Sequence, residues 1–463
     1  MFNLLRGKTA FIAVHQILGG RMAAVSRLPL QVPPVNNLKT PGLTPFARRY
    51  AMFILAVVYM FNFIDRQILS ILLPAIRDEF QVGDTVLGLL AGTAFALFYV
   101  TLGVPIGQLA DRVNRRNLVA ASVAIWSLMT ALSGLAANVW YLALARVGVG
   151  IGEAGCSPPA HSMIADYYPP EKRSSAMGFY TLGISAGIML AYLAGGWIVH
   201  NIGWREAFYI VGVPGLLLAL IVRFTVTEPV RGASENRRDS GHRPTMISVI
   251  QFLLARRSFL FMAVAAGLSS FVGYAVINFM PSFFVRSFTM EIASLGLWLG
   301  LIYGFAGGFG FFMGGYIADH IGRDGHRKAL SFVAIAMLVT LAFYVAVFLT
   351  SSPVWCLLLY IVPAMTANLY LAPVLSQTQS LVSLRMRSVA SSLILLIINI
   401  VGLAMGPPVT GMISDALEPG YGPESMRYSL LLVSVVVLPI AAWCYFQAGK
   451  SIDGDLLRAS EYD

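Results

Sequence analysis

Four ionisable residues stand deep inside apolar stretches of this 463-residue chain: Asp65 and Arg66 in one, Arg146 and Glu153 in another. A charge at the centre of a bilayer costs about 2.5–3.5 kcal/mol even on the lenient insertion scale, so such groups must face a partner or a wet cavity. Two carboxyls and a guanidinium at that depth can trade protons. Apolar surroundings favour the neutral acid, and a neighbouring guanidinium favours the carboxylate. If Arg66 moves between acidic partners, Asp65 and Glu153 load and unload protons in turn. The plainer alternative is a static ion pair that fastens one helix to another. Arg146 lies about two turns from Glu153 on the same helical face and serves equally well as an anchor or a coupling group.

These residues need a membrane around them, and the composition supplies one. The chain is 57% hydrophobic and 12% charged, more apolar surface than a soluble core can hide. Roughly twelve apolar segments are each long enough to cross ~30 Å of hydrocarbon, at 50–76, 85–110, 118–136, 140–165, 174–199, 206–224, 258–284, 293–318, 329–350, 355–382, 389–414 and 428–448. Their continuous rather than alternating apolarity excludes a β-barrel. The expected fold is an all-α integral membrane protein with twelve transmembrane helices in two pseudo-symmetric six-helix bundles.

Duplication is written into the chain. GQLADRVNRR, from Gly107 to Arg116, is repeated in pattern by GYIADHIGRDGHRK, from Gly315 to Lys328. Each has Gly, three residues, Asp and a basic cluster at the end of an apolar span, the mark of two similar membrane halves. Trp140 and Pro158 match Trp355 and Pro373, and Pro74 matches Pro281. The charged groups are not duplicated: Glu153 aligns with Asn368, and Asp65 and Arg66 with Val272 and Gly273. The N-terminal half is therefore expected to handle protons and the neutral C-terminal half to shape the substrate cavity.

With both termini cytoplasmic, about 25 of the 32 basic residues fall in cytoplasmic tails and loops, as the positive-inside rule requires. Only Arg77, Arg205, Arg286 and Arg427 face outward. The domains read as a cytoplasmic tail at 1–47, bundles at 48–224 and 258–448, a cytoplasmic linker at 225–257 ending in a short interfacial helix, and a cytoplasmic tail at 449–463. Met22 is an alternative start. The net charge of +10 is scattered over short loops, which argues against nucleic acid. Cys156, Cys356 and Cys444 sit within apolar spans and form no disulfide framework. No Asn-x-Ser/Thr acceptor occurs, consistent with a bacterial inner membrane. Metal clusters, nucleophile triads and phosphate loops are missing from any suitable context, so no enzyme activity, cofactor or metal is expected. Gly150, Gly152 and Gly155 satisfy a dinucleotide-type glycine pattern, but inside one apolar span they permit close helix contact instead. Pro158 and Pro159 remove backbone donors and should bend the same span.

The repeated loop resembles the signature of the major facilitator superfamily between its second and third helices, here Gly107, Asp111, Arg112, Arg115 and Arg116. Asn114 stands where the family has Gly, a residue that tolerates a left-handed turn. Arg146 with Gly150, PPEKRSSAMG from Pro169, and GPP from Gly406 are further family features. FNFIDRQILSILLP from Phe61, followed by RVGVGIGEAGCSPPAHSMIADYYPPEKR from Arg146, is similar to the Spinster branch, whose animal members export sphingolipids or lysophospholipids. The resemblance implies a proton-coupled carrier of lipid-like molecules, with Asp65, Arg66 and Glu153 in the coupling roles. In that family the first, fourth, seventh and tenth helices line the central cavity.

Two further sets of residues follow. Asp111, Arg112, Arg115 and Arg116, with Asp319 and Arg323 in the second half, would latch the cytoplasmic side, the arginines finding acids such as Asp166. The alternative is a simple positive-inside anchor. Candidate cavity groups are Asn62, Arg146, Tyr180, Ser269, Tyr274, Asn278, Asn368, Tyr370 and Gln377, few among many Phe, Met and Leu, which suits an amphipathic cargo better than a sugar. Expected partners are protons, a lipid-like small molecule and membrane lipids, with the protein working as a monomer. A carrier of small organic anions or drugs is the first rival, with Arg66 on a substrate carboxylate; a channel or non-transporting receptor is a second.

Overall fold

A computed structural model describes residues 44–110, 112–231, 246–321, 325–383 and 386–460. Among these the helices line up as twelve passes. The first six are α1 (Pro45–Phe80), α2 (84–110), α3 (Arg115–Ser133), the broken pair α4 (Val139–Ala154) and α5 (Ser157–Tyr167), α6 (Pro170–Asn201) and α7 (Trp204–Thr225). The linker helix α8 (Met246–Leu254) follows. The second six are α9 (Arg257–Phe288), α10 (292–320), α11 (His326–Leu349), the broken pair α12 (Pro353–Thr366) and α13 (Leu371–Ser380), α14 (387–421) and α15 (Ser425–Ser460). Nine stretches among the described residues are long and apolar enough to cross a bilayer, the last of which, Val389–Arg458, holds two passes. The third and fourth passes fall short because two arginines open α3 and the fourth is broken.

The breaks fall where the sequence puts them. In the fourth pass the helix stops at Gly155 and Cys156 and restarts with Pro158 and Pro159 in its first turn, where a missing N–H costs nothing. Its counterpart breaks between Thr366 and Leu371, just before Pro373. The second and eighth passes match as well, each carrying one π-helical turn, Leu89–Thr93 and Ile302–Gly307.

Within each bundle α1 packs on α6 and α3 on α7, while α9 and α11 pack on α15. Three crossings join the bundles, α2 on α14, α6 on α10 and, between them, α1 on α9. The first two depend on backbones in near contact. A Cβ on Gly88 would sit 2.5 Å from the carbonyl oxygen of Pro407, and one on Gly296 would sit 2.5 Å from that of Tyr192. Van der Waals packing, not hydrophobicity, drives helix association in lipid, which is why small residues fill these seams.

The linker helix is present and buries Val249 and Leu253. The segment expected as a tail after residue 448 differs: α15 runs on to Ser460. Asp455 is the reason, since it accepts from the backbone N–H and hydroxyl of Ser258 at 2.8 and 2.7 Å and so satisfies orphan donors at the start of α9.

Candidate transport site and gates

The glycine run in α4 sets the site. A Cβ on Gly150 would lie 2.4 Å from the carbonyl oxygen of Phe95, and one on Gly152 2.6 Å from the backbone nitrogen of Trp126. The run therefore seats α4 directly against α2 and α3, as its apolar context implied. Glu153, the next residue, is fully buried and accepts from Arg66 Nε at 2.6 Å. Arg66 is about a tenth exposed, and its guanidinium carbon lies 5.2, 4.9 and 4.5 Å from the ring centroids of Phe63, Phe95 and Tyr99. These faces stabilise a cation with little water about it. Asn62, one turn before Arg66, is buried with its amide within reach of Glu153.

Asp65 faces elsewhere. Neighbouring residues on a helix are about 100° apart, so Asp65 and Arg66 cannot share a direction. The carboxyl of Asp65 is fully buried, without a hydrogen-bond partner, and within reach of Trp126 Nε1 and Thr130 Oγ1 of α3, which have no other partner. Its carbonyl oxygen accepts from Arg146 at 3.1 Å. Arg146 thus ties α4 to α1 in this arrangement, buried with its guanidinium carbon 5.6 Å from the Phe95 ring centroid.

Across from this cluster α9 is neutral. A Cβ on Gly273, the position matched to Arg66, would meet no atom within 4 Å, so open space begins there. The adjacent Tyr274 is half-buried and within electrostatic reach of Arg66. Tyr180 stacks on Tyr59 at 4.2 Å, with His161 edge-on at 5.4 Å. Asn368 is half-buried and donates to the carbonyl oxygen of Ala364. Tyr370 is buried.

Other candidate cavity groups are placed apart from this space. Ser269 points into the second bundle toward Met337 and Tyr445. Asn278 accepts from Ser70 of α1 at 2.8 Å, joining the halves. Gln377 binds His326 at 2.5 Å.

Hydrogen bonds and ion pairs between described residues of the two halves concentrate away from the repeated loops. Asp84, fully buried at the start of α2, receives both guanidinium nitrogens of Arg286 and the hydroxyl of Ser414. Asp415 accepts from the backbone nitrogens of Asp84 and Thr85 at 2.7 and 2.8 Å, and from the Thr85 hydroxyl at 2.5 Å. It is an acid placed on a helix N-terminus, where the dipole favours it. Arg77 closes the set with Glu418 at 2.6 Å. Sequence reasoning missed this cluster because it set aside charges at span ends. The signal was there: Arg77 and Arg286 are two of only four basic residues expected on this side, and Asp84, Asp415 and Glu418 supply the matching acids.

At the opposite end, Arg115 binds Asp166 at 2.5 Å, as expected, and also Glu228 at 2.8 Å, Ser162 and the carbonyl oxygen of Pro229. Glu228 also accepts from the backbone nitrogen of Arg116 at 2.7 Å. This ties the start of the linker to the first half's loop, a role the sequence reading did not give Glu228. Asn114 corrects an expectation. Its φ of −68° is extended, not left-handed, and its side chain caps α3 by accepting from the Asn117 nitrogen. Asn replaces Gly here as an N-cap, which needs no positive φ. Arg112 is exposed. Asp111, Arg323 and the side chain of Asp319 lie outside the described residues.

Sequence and structure comparisons converge. Residues 55–407 match the Major Facilitator Superfamily. An MFS-type efflux pump of Mycolicibacterium smegmatis is 31% identical over 412 residues, covering 88% of this chain and 94% of that one. Protein spinster homolog 1 of Xenopus tropicalis is 27% identical over 443 residues, 90% and 84% respectively. The crystal structure of a bacterial homolog to the human lysosomal transporter Spinster, in an inward-facing and unoccupied conformation, superposes with a TM-score of 0.81 at 31% identity, over 89% of this chain and 98% of that one. The fold is that of a membrane transporter. The chain belongs to the Major Facilitator Superfamily, in its Spinster-like branch, as the loop and the Phe61–Pro74 motif implied.

Proposed function

We propose that this transporter couples protons to the movement of a lipid-like or amphipathic small molecule by alternating access. One observation carries the reading: a fully buried Glu153 holds Arg66 on a helix whose counterpart opens to empty space at Gly273. Protonating Glu153 neutralises it and releases Arg66, while Asp65, one residue away, stays on the α3 side beside Arg146 with no ion pair to its carboxyl among the described residues. A buried ion pair stripped of one partner costs about 3–5 kcal/mol, which is the scale needed to drive the halves between two packings. The aromatic wall of Tyr59, Phe63, Tyr99 and Tyr180 around a single cation suits a cargo with an apolar body and an anionic or polar head. The gathering of the bonds between halves at the end away from the repeated loops supports reading this arrangement as inward-facing, in a protein of the bacterial inner membrane with its repeated loops and termini in the cytoplasm.

The test is flux in proteoliposomes under an imposed pH gradient, with lysophospholipids and water-soluble organic anions as candidate cargo. Glu153→Gln should abolish gradient-driven flux while leaving folded protein. Unchanged flux in that variant rejects the coupling role. A second reading, a proton-coupled exporter of drugs or small organic anions, is favoured by the name of the mycobacterial relative, an efflux pump. It requires that a soluble anion compete for Arg66, and saturable counterflow of such an anion without lysolipid flux would select it.

A further inference from the structure

A second cavity, of about 550 Å³, lies between the starts of α1 and α6 at the end bearing the repeated loops, well apart from Glu153. Its volume is within the range of ligand sites. Its chemistry is graded along the helices. Arg49 and Lys172 stand at one side, with Met52, Phe53 and Phe179 at the other and Ser175 between. Among the described residues neither cation has an acid partner and the cavity lining contains no acid. Arg48 adds positive charge next to it, its guanidinium 5.2 Å from the Tyr168 ring and its Nε buried without a hydrogen bond. The grading coincides with the bilayer boundary. On α6 Lys172 comes three residues before the apolar span that begins at Ser175, and Phe179 lies within it; on α1 Arg49 lies in the first turn and a half of the span that holds Phe53.

From this geometry we propose a binding site for an anionic phospholipid of the surrounding bilayer, its phosphate on Arg49 and Lys172 and an acyl chain along Met52, Phe53 and Phe179. Charge complementarity selects the head, since a basic recess between membrane helices at the interface is matched by an anionic lipid headgroup. The apolar floor selects a lipid over a free anion, which would leave that floor unfilled. Occupancy ties the start of α1, which carries Asp65 and Arg66, to the start of α6, which crosses to the other half on α10. The site needs only that α1 and α6 span a bilayer and does not depend on the proton-coupling reading.

The experiment is a melting-temperature titration of delipidated protein in neutral detergent with dioleoyl phosphatidylglycerol, dioleoyl phosphatidylcholine or inorganic phosphate. The anionic lipid should give a saturable rise at a concentration at least ten-fold lower than the zwitterionic one, and phosphate alone should give none. Arg49→Gln combined with Lys172→Gln should erase the difference between the two lipids. Ser175→Trp, at an exposed position, fills the mouth while keeping both cations and should erase it as well, and it decides alone if the double variant does not fold. Equal titration by the two lipids, wild-type preference in the variants, or a saturable rise with inorganic phosphate overturns the proposal.

Discussion

The two halves share a backbone plan and divide their chemistry. In the first, α1 and α4 carry Asp65, Arg66, Arg146 and Glu153 in near-complete burial; in the second, the matched positions hold Val272, Gly273 and Asn368. Where the first half has a guanidinium held by an acid, the second has a glycine facing empty space. Duplication gave both halves the same breaks and the matched π-helical turns of the second and eighth passes, so those belong to the scaffold. Charge present on one side alone is not required by the shared scaffold, and its cost in lipid is what motivates the proposed coupling role.

The comparison can be broken in several ways. The largest effect is expected at the gate that joins the halves. Asp84→Asn leaves Arg286 without its buried counter-charge, and losing one partner of such a pair costs about 3–5 kcal/mol. Accessibility of a cysteine introduced at Ser414 should rise from the buried level toward that of an exposed residue, because the closed far end loses its main tie. No change in labelling contradicts the gate. Next, Gly273→Leu enters open space and should fold normally while weakening apparent substrate affinity about ten-fold, a loss of about 1.4 kcal/mol, by narrowing the neutral wall. Wild-type affinity would remove Gly273 from the cavity. The smallest effect is expected at Glu418, about two-fifths exposed where it meets Arg77. Glu418→Gln should cost no more than about 1 kcal/mol, a melting shift barely above scatter, and a larger loss would move this pair into the core of the gate.

Much of this arrangement was legible before any coordinates. Continuous apolar runs and a duplicated loop fix the fold class, since few other architectures need both. The buried charges were legible because polar groups in lipid are expensive and therefore informative. Pro158, Pro159 and the α4 glycines announced the break and the close contacts through their backbone chemistry. What escaped were matters of direction and pairing. Periodicity places Asp65 and Arg66 at one depth but does not say that one meets α3 and the other Glu153. Ser269 and Gln377 are polar within apolar spans, yet their partners, Tyr445 and His326, are remote in sequence. The pairing of Asp84 with Arg286 spans 202 residues, and no local signal encodes it. Asn114 shows the converse: the right residue was singled out, and the wrong backbone conformation was attached to it.

The central claim, that proton traffic belongs to the first half alone, is tested most directly by counting protons. Purified protein in liposomes is given substrate on one side, and the internal pH is followed with a trapped dye. Substrate-driven proton movement should be present in the wild type and in Asn368→Ala, and absent in Glu153→Gln even where substrate exchange persists. Proton movement that survives Glu153→Gln, or that disappears with Asn368→Ala while Glu153 is intact, contradicts the division of labour between the halves.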